Sequence, residues 1–141
     1  MKTAKYEDFK VGDKAEHTKT VTETDVVLFA GISGDFNPLH INEEFAKSTQ
    51  FGKRLVHGCF SSALISAVIG MKLPGPGALY VSQSCNFRKP VFIGDTLTAT
   101  AEIKEKFTKK EGTLKFLKIA TVVTNQNEVV VTDGEALVIV M

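Results

Sequence analysis

The sequence predicts an α+β fold in which an antiparallel sheet wraps around one long central helix. The stretch from Cys59 to Met71 is apolar or small on nearly every face, and four strand-like runs separated by short turns follow it. A helix without a polar face must be surrounded by protein, and strands joined by short turns form antiparallel sheets. A sheet that curls around the helix meets both requirements.

Length and composition are those of an ordinary globular protein. The 141 residues, 43% of them hydrophobic and 23% charged, predict a single domain over residues 1–141. The 17 basic and 16 acidic residues leave a net charge of +1, which provides no overall field to attract nucleic acid or an anionic membrane. The N-terminus lacks the apolar segment of a signal peptide, and no apolar run reaches the roughly 20 residues that cross a bilayer. We therefore expect a cytoplasmic protein with no nucleic-acid or membrane partner.

The first part of the chain predicts one strand and two short helices. The alternation at the end of DKAEHTKTVT is typical of a strand. The stretch TETDVVLFAGISG predicts a helix of two to three turns, capped by Thr22 or Thr24 and ended by the glycines Gly31 and Gly34. Asn42 caps a second short helix in EEFAKS.

The second part of the chain predicts the central helix and most of the sheet. The apolar helix in LVHGCFSSALISAVIGMKLPGPG has roughly 16 residues, too few for a comfortable membrane span, and PGPG ends it. The turn sequences IGD, KKEG and NQN then separate four strand-like runs. These runs are ALYVSQSCNFRKPVF, DTLTATAEIKEKF, TLKFLKIATVVT and EVVVTDGEALVIVM.

The two cysteines predict neither a disulfide framework nor a metal site. Cys59 and Cys85 show no CxxC spacing and no accompanying histidine pattern of a zinc site. Cysteine is among the most frequently buried residue types. We therefore expect two buried thiols and no metal.

The stretch GDFNPLH places a carboxylate and an imidazole close together. Five positions on a helix correspond to about 140° of rotation, so Asp35 and His40 cannot share a helical face. Pro38 also disfavours helix at Asn37, which predicts an irregular turn. Converging there, the two side chains could hold one water between them for its addition or removal. The spacing of Asp35 and His40 alone does not exclude an ordinary turn, in which His40 only satisfies a buried carbonyl.

The wider context resembles a known enzyme family. FAGISGDFNPLHINEEFA, followed by FGKRLVHGCFSSALISAVIG, is similar to the signature of the MaoC-like, (R)-specific enoyl-CoA hydratases, also called hydratase 2. The resemblance implies a hot-dog fold and a hydro-lyase of fatty acid metabolism that adds water reversibly to trans-2-enoyl-CoA, giving (3R)-3-hydroxyacyl-CoA. It implies a homodimer that binds an acyl-CoA thioester between protomers. No cofactor is implied, because coenzyme A is part of the substrate.

The resemblance also implies roles for individual residues. Asp35 and His40 match the catalytic pair, and Gly58 matches the glycine whose backbone N–H polarises the thioester carbonyl. Free N–H groups and the positive end of the dipole at the start of the central helix suit that role. Ser66 matches a helix serine near the aspartate and is expected to support the site. Asn37 is expected to brace the turn or the pair.

Further polar residues near these motifs are weaker candidates. His57, just before Gly58, is expected to bond backbone groups where the helix begins. Cys59 and Ser61 have no paired base in the local sequence, so a covalent nucleophile is not expected. The cations that could meet the phosphates of coenzyme A are Lys53, Arg54, Arg88 and Lys89.

Two other functions remain open on the sequence. A thioesterase also uses the hot-dog fold but cleaves the acyl–sulfur bond, and a non-catalytic acyl-CoA-binding module would bind without turnover. The complete GDFNPLH run favours the hydratase over both.

Overall fold

Six antiparallel strands form one curled sheet in the computed structural model, which describes residues 2–141. The strands are β1 (Lys14–Thr20), β2 (Ala78–Gln83), β3 (Asn86–Phe87), β4 (Thr96–Lys109), β5 (Leu114–Thr124) and β6 (Val130–Val140). Their order in the sheet is β1-β4-β5-β6-β2, and β3 also pairs with β6. The predicted antiparallel sheet is therefore confirmed. The first of the four predicted strand-like runs forms two strands, β2 and β3.

Four α-helices accompany the sheet, together with a short 3-10 turn near the N-terminus, Tyr6–Asp8. The helix caps are those that the sequence predicts: the Thr22 hydroxyl accepts the Asp25 N–H, and the Asn42 side chain accepts the Phe45 N–H. Among the described residues, no helix is both long and apolar enough to cross a bilayer. The helices are α1 (Glu23–Ser33), α2 (Pro38–Ile41), α3 (Glu43–Lys47) and α4 (Gly58–Met71).

The core lies between α4 and the inner face of the sheet. Along β4 every second side chain is buried, as the strand period requires: Leu97, Ala99, Ala101 and Ile103. Against them pack the buried side chains of one face of α4, which are Phe60, Leu64, Ile65, Val68 and Ile69. The central position of the predicted helix is thus confirmed.

Within the single chain the opposite face of α4 is open, so this chain alone does not surround the helix as predicted. Cys59, Ala63, Ser66 and Gly70 are all exposed, and their spacing places them along one side of the helix. The side chains there are small, so the apolar character of the helix exceeds what one chain can cover.

The prediction of two buried thiols is wrong. Cys59 is exposed on the open face of α4, and Cys85 is half-buried in the segment that joins β2 to β3. Both are free, and the Sγ of Cys85 lies 3.3 Å from the Ser62 hydroxyl. The open face of the helix is the physical reason, because the single chain covers neither thiol fully.

Gly134 in β6 allows the segment after β2 to pack closely. The Ser84 N–H donates to the Glu135 carbonyl at 2.9 Å, and the Ser84 hydroxyl accepts the Glu135 N–H at 3.0 Å. A Cβ added to Gly134 would lie 2.7 Å from the carbonyl carbon of Ser84, a backbone atom that cannot rotate away. This contact excludes a side chain at position 134.

We predict that Gly134→Ala lowers the free energy of unfolding by on the order of 3 kcal/mol, because the methyl group overpacks against backbone. Gly31→Ala is the matched control: it lies inside α1 with nothing within 4 Å of its added Cβ. Alanine should stabilise that helix by about 0.5–1 kcal/mol. Urea denaturation followed by circular dichroism measures both changes, and wild-type stability of Gly134→Ala would contradict the prediction.

Candidate active site

The loop that carries Asp35 is shaped by its own side chains. Gly34 ends α1 in the left-handed conformation, at φ +83°, which a side chain disfavours. The Asp35 Oδ1 then accepts the Asn37 N–H at 3.2 Å, and the Asn37 side chain accepts the Leu39 N–H at 3.0 Å. Asn37 thereby caps α2 and braces the turn.

His40 lies on α2, so the predicted irregular turn extends only to Asn37. The proline at the first position of α2 needs no N–H there, which is why one helical turn can follow immediately. Four residues give too little periodicity for this helix to be predicted from the sequence.

Asp35 and His40 approach each other without direct contact. The Asp35 Oδ2 and the His40 Nε2 are 3.7 Å apart, too far for a hydrogen bond and close enough for one water to reach both. The His40 Nδ1 lies 2.7 Å from the Leu55 carbonyl oxygen, which can only accept. Nδ1 therefore carries the hydrogen, and the lone pair of Nε2 faces the carboxylate. His40 satisfies a buried carbonyl and also forms the pair.

His57 is the N-cap residue of α4 and is almost fully buried. Its Nε2 lies 2.9 Å from the backbone carbonyl oxygen of Asp35, so it bonds a backbone group as expected. Its ring also stacks on His40, with centroids 3.9 Å apart and planes at 30°. One side-chain nitrogen or oxygen atom from each of Asp35, His40 and His57 lies within 4.8 Å of the other two. This cluster was not predicted from the sequence. The one local signal for it was the HG pair before the helix.

Gly58 is the first residue of α4, where the backbone N–H groups have no partner within the helix. The ring of Phe87 covers its Cα, and a Cβ on Gly58 would lie 3.2 Å from the Phe87 Cδ1. Two cavities meet at Gly58 and Phe87: one of about 350 Å³ reaches His40, and one of about 390 Å³ reaches Asp35. Gly58 therefore lines both the cavity that reaches His40 and the cavity that reaches Asp35.

The structure does not bring Ser66 to this site within one chain. Ser66 lies eight residues beyond Gly58, about 12 Å along the helix axis, and is on the open face of α4. Ser61 lies one turn from Gly58 instead, is buried and lines the cavity beside His40. Sequence reasoning missed Ser61 as a lining residue because it considered this serine only as a nucleophile.

Arg54 pairs with two carboxylates, and the structure does not bring it to the cavity that contains His40. Its guanidinium is buried and pairs with Glu23 of α1 and, at 2.6 Å, with Glu43 of α3. The hydrogen bond to Glu23 raises the pKa of Arg54, because it favours the charged form. Two carboxylates already neutralise this cation, and it holds α1 and α3 beside Leu55, the residue that orients His40.

The other three candidate cations occupy different places. Arg88 and Lys89 line the cavity that contains His40 and Gly58. The hydrogen bond from Arg88 lowers the pKa of Asp133, whose Oδ2 lies 3.1 Å from the Arg88 Nε. Lys53 lies outside that cavity, with its Nζ 4.2 Å from the centroid of the Phe92 ring. Only Arg88 and Lys89 combine a positive charge with a position at this cavity.

Comparison with known proteins shows the family of this chain. The family model described as the MaoC like domain matches residues 8–127. The chain belongs to the MaoC-like family. The architecture of this MaoC-like protein is the hot-dog fold, as the sequence predicts.

Relatives of this MaoC-like protein are similar over most of its length. It is 47% identical to an (R)-specific enoyl-CoA hydratase of Rhodospirillum rubrum, covering 96% of this chain and 90% of the relative. It is 45% identical to a 3-hydroxybutyryl-CoA dehydratase of Methylorubrum extorquens, covering 94% and 82%. The unliganded R-hydratase of Pseudomonas aeruginosa superposes with a TM-score of 0.89 at 44% identity, covering 96% and 84%.

We predict that Arg54→Gln lowers the free energy of unfolding by about 1–2 kcal/mol, because both carboxylates lose a charged partner. The loss is moderated by solvent, since Glu23 and Glu43 are more than half exposed. Lys47→Gln, which removes an exposed pair with Glu44, should change stability by less than about 0.5 kcal/mol. Thermal and urea denaturation measure both. Unchanged stability of Arg54→Gln with a raised KM for acyl-CoA would restore the phosphate-binding role.

Proposed function

We propose that this MaoC-like protein is an (R)-specific enoyl-CoA hydratase that adds water reversibly to trans-2-enoyl-CoA. The product is (3R)-3-hydroxyacyl-CoA, and the reverse reaction is dehydration. The observation that carries the proposal is the 3.7 Å gap between Asp35 and His40, beside the free amide of Gly58. One part of this site can hold a water and the other can hold a carbonyl oxygen.

The Gly58 N–H activates the substrate. The thioester oxygen accepts a hydrogen bond from this amide, at the positive end of the α4 dipole. Negative charge that develops on the oxygen is stabilised there, and C3 of the conjugated enoyl group becomes electrophilic. The close contact between Gly58 and Phe87 explains the need for glycine, because a side chain would push against the ring.

Asp35 and His40 together activate the water. Both the Asp35 Oδ2 and the His40 Nε2 are acceptors, so a bound water donates one hydrogen to each and turns its lone pair toward C3. As the oxygen bonds to C3, His40 takes one proton from the water and delivers it to C2. The other hydrogen stays on the oxygen, hydrogen-bonded to Asp35, and becomes the hydrogen of the product hydroxyl. The proton and the hydroxyl both come from one water. The reaction involves no change of oxidation state that would need an external oxidant or reductant.

Arg88 and Lys89 are the residues we assign to the phosphates of coenzyme A. Arginine suits phosphate because its planar guanidinium donates two parallel hydrogen bonds, and lysine provides a point charge. Asp133 pairs with Arg88 in the free protein and holds the guanidinium at the cavity.

We further propose that the protein acts as a homodimer. β2 is an edge strand of the sheet and exposes Leu79, Tyr80 and Val81, and an uncovered apolar edge favours pairing with another strand. The open face of α4, with Cys59, Ala63, Ser66 and Gly70, is also uncovered. A second copy joined along β2 would extend the sheet and cover this face. Ser66 would then approach an active site only across the dimer.

We predict that the wild-type protein removes the conjugated absorbance of crotonyl-CoA, and that Asp35→Asn and His40→Ala each lower kcat by about 10²–10⁴-fold, because each removes one acceptor of the reacting water. His17→Ala is the control, since His17 lies in β1, away from the site. Ultraviolet absorbance measures the rate and circular dichroism checks the fold. Full activity in either site variant would contradict the assignment of Asp35 and His40 as the residues that activate the water.

The same preparations separate the alternative functions. A thioesterase would release free thiol from crotonyl-CoA, which a thiol reagent detects, whereas a hydratase releases none. A binding module would bind butyryl-CoA without any loss of crotonyl-CoA absorbance.

We predict a dimer by light scattering, and we expect Val81→Lys to shift the protein toward a monomer, because a charge on the β2 edge opposes strand pairing. Thr18→Lys, an equal change on β1 at the opposite edge of the sheet, should leave the dimer intact. A wild-type protein that is monomeric and fully active would contradict the dimer proposal.

A further inference from the structure

His57 contains a buried nitrogen that no protein group satisfies. Among residues 2–141, its Nδ1 is the one buried side-chain nitrogen or oxygen atom without a hydrogen-bond partner. The Nε2 faces a carbonyl oxygen and must therefore carry the ring hydrogen, which leaves a lone pair on Nδ1. An unpaired buried acceptor is unfavourable, so its presence in a folded protein calls for an explanation.

The position of His57 connects the three parts of the catalytic site. It precedes Gly58 in sequence, bonds the backbone of Asp35 at 2.9 Å and stacks on His40 at 3.9 Å. The ring of Phe29 also lies against His57, with its centroid 4.8 Å away at an angle of 49°. The imidazole thus contacts two rings in addition to its hydrogen bond. The hydration reaction described above uses none of its atoms.

The hydrogen bond to Asp35 links the loop to the central helix. The other hydrogen bonds of this loop are local: Asp35 N–H donates to Ser33, and Asn37 N–H donates to Asp35. Local bonds fix the shape of the loop but not its distance from Gly58. The bond from His57, which crosses from the start of α4, sets that distance together with the bonds between Leu55 and α2. Displacing a reacting group by even about 1 Å lowers a rate strongly, on the order of 100-fold.

A ring nitrogen of His57 lies within 4.8 Å of a carboxylate oxygen of Asp35 and of a ring nitrogen of His40. Because the ring hydrogen is on Nε2, which donates to the Asp35 carbonyl, His57 has no second hydrogen to donate to the acceptors that hold the reacting water.

We propose that His57 is a positioning residue for the hydration reaction, holding the Asp35 loop in place through Nε2–H. This role rests on the proposed hydratase function. It differs from a purely structural role because it acts on the chemical step and leaves substrate binding unchanged.

Two substitutions separate the contributions of the ring and the hydrogen bond. His57→Phe keeps an aromatic ring between Phe29 and His40 but removes the donor to Asp35. His57→Gln removes the ring, but its side-chain amide can donate from about the place of Nε2. Active sites are counted by titration with butyryl-CoA, which has no double bond to hydrate, so unfolded protein does not enter kcat.

We expect His57→Phe to lower the kcat for crotonyl-CoA by about 10–100-fold with KM within about twofold, because the reacting groups are misplaced but substrate contacts are not. His57→Gln should recover most of the lost kcat. In an Asp35→Asn background, His57→Phe should cause less than about a threefold further loss, because residues that act as a unit are not additive.

Three results would overturn the proposal. They are a wild-type kcat in His57→Phe, equal losses in the Phe and Gln variants, and a full additional loss of kcat in the Asp35→Asn background. If the wild-type protein itself does not hydrate crotonyl-CoA, the hydratase function fails and the role of His57 fails with it. Wild-type turnover with an unaffected His57→Phe variant removes the role of His57 alone.

Discussion

The packing of α4 against the inner face of the sheet determines where the amide of Gly58 lies, and the site is arranged around that amide. Five apolar side chains of α4 are buried in the core, and each contributes about 1.5–3 kcal/mol. A single hydrogen bond in the neighbouring loop contributes about 1 kcal/mol. The helix therefore provides the fixed frame, and weaker interactions hold the loop with Asp35 and the short helix with His40 in place against it.

Three contacts fix the positions of Asp35 and His40 relative to α4. Leu55 accepts the hydrogen of the His40 Nδ1 and so fixes the lone pair of Nε2. His57 bonds the Asp35 backbone, and Arg54 joins α1 and α3 from the residue next to Leu55. All three contacting residues lie in the segment that leads directly into α4. A short stretch of chain before the helix thus orients both members of the pair, which explains how a half-exposed carboxylate keeps a defined position.

The sequence predicted those features that depend on local pattern. Apolar character identified α4, alternation and turn residues identified the strands, and the GDFNPLH run identified Asp35 and His40. The remaining features depend on residues distant in sequence. Arg54 pairs with Glu23, 31 positions away, and no local pattern distinguishes this cation from one that binds phosphate. The exposure of Cys59 and Ser66 could not be predicted either, because an apolar helix looks the same whether its own chain or a partner covers it.

The most direct test of the account is the kcat of Gly58→Pro compared with that of Gly58→Ala, measured with crotonyl-CoA. Both variants add a Cβ against Phe87, and proline is tolerated at the first position of a helix, but only Gly58→Pro removes the amide hydrogen. We expect Gly58→Pro to be about 10²–10³-fold slower than Gly58→Ala, with both variants folded. Equal kcat values in the two variants would contradict it, because the amide at the head of α4 would then play no part in the reaction.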